Sequence, residues 1–204
     1  MTIRRGTASL AFTLASFYFA LAQVASPAGK SVNQNALVIQ DFDKRLDDYA
    51  KLRKRAQAGL PDPKSETSAA NVKQYQQSLA QNIRTERPQA KAGDIFTPRI
   101  SQLFRELIAT PIRGNNGGKI RASLRHAEPV HELPLEVNQE YPQTSAMQST
   151  PPTLLSNLPK LPPDLEYRIV GRGLILLDTK ANLIVDLLPD ALPISQVSVE
   201  ANEK

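Results

Sequence analysis

Between Asn35 and Ala58 the apolar positions recur at a helical period. Phe42, Tyr49 and Ala56 occupy the a positions of a heptad begun at Asn35, with Val38 and Leu52 at d and Ile39 and Leu46 beside them. The opposite face carries Asp43, Lys44, Asp47, Asp48, Lys51 and Lys54, so the segment predicts an amphipathic helix with one buried stripe. Lys51, Arg53, Lys54 and Arg55 fall in its last turns, where cations meet the negative end of the helix dipole, and Gly59-Leu60-Pro61-Asp62-Pro63 stops it. A narrower stripe of Val72, Tyr75 or Gln76, Leu79 and Ile83 predicts a second helix from Ser65–Ser68 toward Lys91, kinked or ended by Pro88. The short loop between the two makes an antiparallel helical hairpin the expected arrangement. Thr97 as N-cap and Pro98 as first helical residue open a third helix. Its apolar face is Ile100, Leu103, Phe104, Leu107 and Ile108, and Pro111 limits it.

From Lys119 the pattern changes to period two. Ile120, Ala122 and Leu124 alternate with Arg121, Ser123 and Arg125, and Leu133, Leu135 and Val137 alternate with polar residues, so both stretches predict strands. Gly114-Asn115-Asn116-Gly117-Gly118 reads as a flexible turn before them. Tyr141 to Pro163 is rich in Pro, Ser and Thr, with room for one helical turn between Pro152 and Leu158. Three further runs, Leu165–Val170, Gly173–Asp178 and Leu183–Asp186, are joined by tight connectors and predict an antiparallel meander. Leu174 to Leu177 is apolar on both faces and belongs in the middle of that sheet. The expected fold class is α+β: an N-terminal helical hairpin plus a third helix over residues 23–113, then a small, mostly antiparallel sheet region over 119–193, and a flexible tail at 194–204.

The residues before the first helix add an address. Met1 to Arg5 is short and basic, Ala8 to Leu21 is apolar, and Ala20-Leu21-Ala22 is a small-x-small site. That order predicts a secretory signal peptide over residues 1–22, with the mature chain starting at Gln23 in the periplasm or outside the cell. Arg4-Arg5 raises the twin-arginine route, although Gly6-Thr7-Ala8 lack the large apolar residues that route usually follows with. The absence of cysteine excludes a disulfide framework, a thiolate nucleophile and an N-terminal lipid-anchored cysteine. Arg4 and Arg5 leave with the signal, which brings the formal charge from +5 to +3. This modest balance, with no basic run interleaved with aromatics, argues against a nucleic-acid partner. No transmembrane anchor is expected in the mature chain, and a basic face remains able to touch anionic lipid or cell-wall polymer.

Three stretches carry a resemblance. Phe42 to Lys54, Gly93-Asp-Ile-Phe-Thr-Pro98, and Leu165 to Asp186 follow one another in an order that resembles an uncharacterised family of bacterial exported proteins, over about Phe42 to Pro193. The Tyr-x-x-Val-Gly…Leu-Ile-Val meander is also similar to the tail of periplasmic nickel/cobalt homeostasis proteins, over about twenty residues, and implies no site residue here.

The candidate chemistry is sparse. His126 and His131, in His-Ala-Glu-Pro-Val-His-Glu, invite a metal reading with Glu128 and Glu132. On a strand, however, a spacing of five places the two rings on opposite faces, and Pro129 keeps one helix from uniting them. Two exposed polar residues at a strand edge are the simpler reading. Asp178 and Asp186 flank the last turn and form a conceivable acid/base pair. Asp178 is better explained as bonding the turn backbone, with Asp186 ending an alternating strand. Gly114 to Lys119 lacks the Lys-Ser/Thr pair of a phosphate loop, and no nucleophile elbow or His-Glu-x-x-His is present. No catalytic residue and no cofactor are therefore assigned. The expectation is a non-enzymatic binding, scaffold or accessory protein of the cell envelope with a macromolecular partner, its oligomeric state open. The alternatives are a chaperone-like or metal-stress protein and an enzyme whose site follows no motif.

Overall fold

The computed structural model describes residues 33–61, 68–126, 135–142 and 152–193, all within one compact unit, Val32–Lys204. The signal segment, His131, the run Leu133–Pro134 and the tail lie outside the described residues.

The first helix, α1 (Gln34–Gln57), starts at Asn33, whose side chain accepts the N–H of Asn35 at 3.0 Å, and ends where Gly59 takes a φ of +83°. Val38, Phe42, Leu46, Tyr49 and Ala56 are its buried residues, which is the stripe the periodicity predicts. In α2 (Ala69–Glu86) the buried positions begin only at Tyr75 and continue through Leu79, Ala80 and Ile83. The hairpin is offset as a result. Asn82 donates to the Ala56 carbonyl at 2.8 Å, Glu86 pairs with Arg55 at 3.1 Å and Arg87 lies over the Tyr49 ring, so the C-terminal halves cross, in antiparallel sense. The second helix stops at Glu86, short of Lys91, because Arg87 already leaves helical geometry one residue before Pro88.

Pro98 opens α3 (Pro98–Arg113) as expected, although the Thr97 side chain makes no capping bond. The helix runs through Pro111 to Arg113 rather than stopping before the proline. Phe42, Phe96, Phe104 and Tyr167 form one aromatic cluster with ring centroids 4.9–6.2 Å apart, which joins α1, the α2–α3 loop, α3 and the sheet.

The stretch read as a strand from Lys119 to Arg125 is instead a helix, α4 (Gly117–His126), and Gly117-Gly118 begin it rather than ending a turn. Ile120 and Leu124 satisfy an i, i+4 pairing as well as an alternation, and packing against α3 selects the helix. Arg121 donates from Nη1 to the free Ile112 carbonyl at the end of α3, at 2.9 Å, and Gly117 sits so close that a Cβ would lie 1.9 Å from that same oxygen. Gly117→Ala is therefore expected to cost about 1–3 kcal/mol and release α4. Gly118→Ala, with open space around it, should stabilise the helix by about 0.5–1 kcal/mol. Paired thermal melts of the two variants separate the effects, and equal melts would mean that Gly117 is not a close-packed position.

After the short α5 (Pro152–Leu155), with Leu154 fully buried, come β1 (Leu165–Val170), β2 (Gly173–Asp178) and β3 (Leu183–Leu188), antiparallel in the order β1-β2-β3. The α+β class and the meander stand, and β2 is the central strand. Leu174 and Leu176 face the helices, whereas Ile175, Leu177 and Ile184 join Tyr141 on the other face. The strand expected over Leu133–Val137 is absent from the described part of that stretch. Instead Asn138, Gln139 and Tyr141 exchange backbone bonds with Ile184 and Asn182, bringing a single bridge, Glu140 to Leu183, beside β3. Among the described residues no helix is long and apolar enough to cross a membrane.

Candidate functional site

A bulge in β3 determines what the buried acids can do. Leu177 pairs with Ile184 but Leu176 pairs with Asp186, so Val185 is the extra residue. Strict alternation from Ile184 would send Asp186 to the face away from the helices. The extra residue turns it back to the side of Leu176, where it is fully buried. There its Oδ1 accepts the N–H of Gly93 (2.9 Å) and Leu187 (2.8 Å), and its Oδ2 accepts Ile95 and Phe96 (both 2.7 Å). The carboxylate thus clasps the α2–α3 loop, where Gly93 supplies a φ of +90°. Burial pushes the Asp186 carboxyl above the ordinary carboxylate value, and the four N–H donors oppose that rise.

Asp178, also fully buried, ends β2 on the same face. One oxygen accepts the Ala181 N–H at 3.0 Å and closes the β2–β3 turn, as its sequence position suggests. The other accepts the Tyr49 hydroxyl at 3.0 Å and lies 2.6 Å from Arg53 Nε. Arg53 extends to Asp164 Oδ2 at 3.2 Å, which Lys180 also approaches at 3.5 Å. Burial first, then the charge of Asp178 and its hydrogen bond, push the Tyr49 phenol well above its ordinary value. Arg87 donates to the Val185 carbonyl at 3.1 Å and lies 5.5 Å from the Tyr49 ring centroid. Burial lowers its basicity against the pull of Tyr49, Asp94 and Asp186.

Sequence reasoning found Asp178 and Asp186 but missed Tyr49, Arg53, Arg87 and Asp164. Tyr49 carried one signal, a hydroxyl on an otherwise apolar buried stripe, which needs a partner when buried. For Arg87 the pattern holds no comparable signal. A general base needs a lone pair facing substrate, and the oxygens of both acids face donors of the chain itself. Two surface hollows among the described residues bear on ligand binding. One, about 190 Å³, lies between α2 and the Glu140–Pro142 segment and is lined by Lys73, Gln76, Gln77 and Asn182. The other, about 200 Å³, lies between the start of α1 and α3, at Asn35, Val38, Arg99 and Gln102. Neither is lined by Asp178 or Asp186.

His126 is the last residue of α4, not part of a strand, which removes the face argument made for it, and His131 lies outside the described residues. Among the described residues no group of three His, Cys, Asp or Glu side chains is gathered to hold a metal ion. No family model, curated protein or solved structure matches this chain.

Proposed function

We propose that the chain is an exported, non-enzymatic binding or scaffold protein of the cell envelope that works through its surface. The observation that carries this reading is the use made of the two buried carboxylates. Asp186 spends both oxygens on the α2–α3 loop and Asp178 spends its own on the β2–β3 turn and α1, so the strongest acid/base candidates hold architecture in place. What this network produces is a rigid joint between helices and sheet, which suits presentation of a fixed outer surface.

Crosslinking in the envelope, with the chain as bait, is the test. A discrete crosslinked macromolecule recovered together with a mature N-terminus at Gln23 is the expected result. Micromolar binding of nickel, cobalt, zinc or copper, abolished by His126→Ala or His131→Ala, would replace this reading with the metal-stress alternative.

A further inference from the structure

Two stretches of the chain each hold four cations and no acid, and the first lies between Tyr49 and Pro61, with Lys51, Arg53, Lys54 and Arg55. Of the formal +5, two charges are Arg4 and Arg5, and four lie between Leu107 and Ala127 as Arg113, Lys119, Arg121 and Arg125, a stretch with no acid. Outside these stretches and Arg4-Arg5 the chain is net −5. The fold treats the two stretches differently, pairing Lys51, Arg53 and Arg55 of the first with acids. Ion pairs among the described residues draw their cations from α1, α2, β1 and the two hairpin turns: Arg45, Lys51, Arg53, Arg55, Arg84, Arg168, Arg172 and Lys180. None comes from α3 or α4.

Arg113, Lys119 and Arg121 are exposed, at the end of α3 and the start of α4. The Arg121 guanidinium bonds the Ile112 carbonyl, next to Arg113, and packs against Gly117, two residues before Lys119. Cations gathered on one corner act together on a charged partner, because salt screens them from one another only beyond about 8–10 Å. These three stand at the end of α3 and in the first turns of α4, on the corner between two packed helices. An exposed array of cations suits an extended anionic surface, which it can meet without enclosing it.

We propose that the α3–α4 corner docks the protein on an anionic phospholipid surface. The proposal rests on the reading of the chain as an envelope binding protein and names the partner class of that reading. Each cation near an anionic leaflet contributes on the order of a fivefold gain in partitioning.

The test is co-sedimentation of the chain, in the form recovered from expressing cells, with vesicles of pure phosphatidylcholine and of phosphatidylcholine with about one-third phosphatidylglycerol. Arg113→Gln/Lys119→Gln removes two exposed cations that make no ion pair among the described residues, and Lys44→Gln/Lys54→Gln removes two exposed ones from α1 as the charge-matched control. Expected are binding that requires phosphatidylglycerol and weakens with salt, a loss of about thirtyfold in the corner variant and little change in the control, at unchanged melting temperatures. Equal binding to both vesicle types, or equal losses in the two variants, would overturn the proposal. A chain that ignores both vesicles yet crosslinks to an envelope protein would overturn it too, while leaving the binding reading intact.

Discussion

Asp186→Asn is expected to lower the melting midpoint by about 10 °C, from a loss of about 2–4 kcal/mol, with secondary structure retained below the transition. The wild-type carboxylate accepts two N–H groups on each oxygen. An amide has one acceptor oxygen, so its NH₂ must face two donors. The cheaper choice points the NH₂ at Gly93 and Leu187, whose N–H bonds are part-buried and within reach of water, and keeps the oxygen for the buried Ile95 and Phe96. Each orphaned N–H costs about 1–3 kcal/mol, less where water can enter. Asp186→Ala orphans all four donors and should fail to fold, since that sum approaches the 5–15 kcal/mol of a typical domain. Thermal melts followed by circular dichroism decide this, and an Asp186→Asn protein melting within 2 °C of wild type would mean that the clasp carries no stability.

Most of the frame is legible because burial writes itself into periodicity. Val38, Phe42, Leu46, Tyr49 and Ala56 are buried where a 3.6-residue repeat puts them, and Leu174 to Leu177 is buried on both faces as an unbroken apolar run requires. What fails has two physical causes. In α4 the apolar residues satisfy both periods, and the deciding interactions, Arg121 on the Ile112 carbonyl and the close approach of Gly117, belong to the contact with α3. In β3 the single extra residue Val185 reverses the face of everything after it, and an alternating pattern has no mark for a bulge. The joint built on Asp178 was legible only in its local half. Its bond to Ala181 spans three positions, but its bond to Tyr49 spans 129. The cations Arg113, Lys119 and Arg121 carried no mark in a pattern read as a turn and a strand, and the two helices that bring them to one corner come from packing.

Leu176→Asp is expected to abolish folding. Leu176 has no exposed surface, lies in the central strand between Tyr167 and Asp186, and faces the helices. The substitution removes a buried side chain, a change that costs about 2–5 kcal/mol even when the replacement is alanine. It also places a second carboxylate directly across from one already fully buried. The donors that satisfy Asp186 are committed to it, so the new acid would stand in the core without a partner and beside a like charge. Either it ionises, at several kcal/mol, or it holds a proton and leaves a hydroxyl unbonded in an apolar layer; both routes add to the lost packing and together reach the stability of a typical domain. Leu37→Asp is the control, because Leu37 is 43% exposed and its replacement should change stability by less than about 0.5 kcal/mol. Limited proteolysis and denaturant melts of the two variants check the contrast. A Leu176→Asp protein that stays soluble and melts cooperatively near the wild-type midpoint would show that the helix-facing side of β2 is not the centre of this fold.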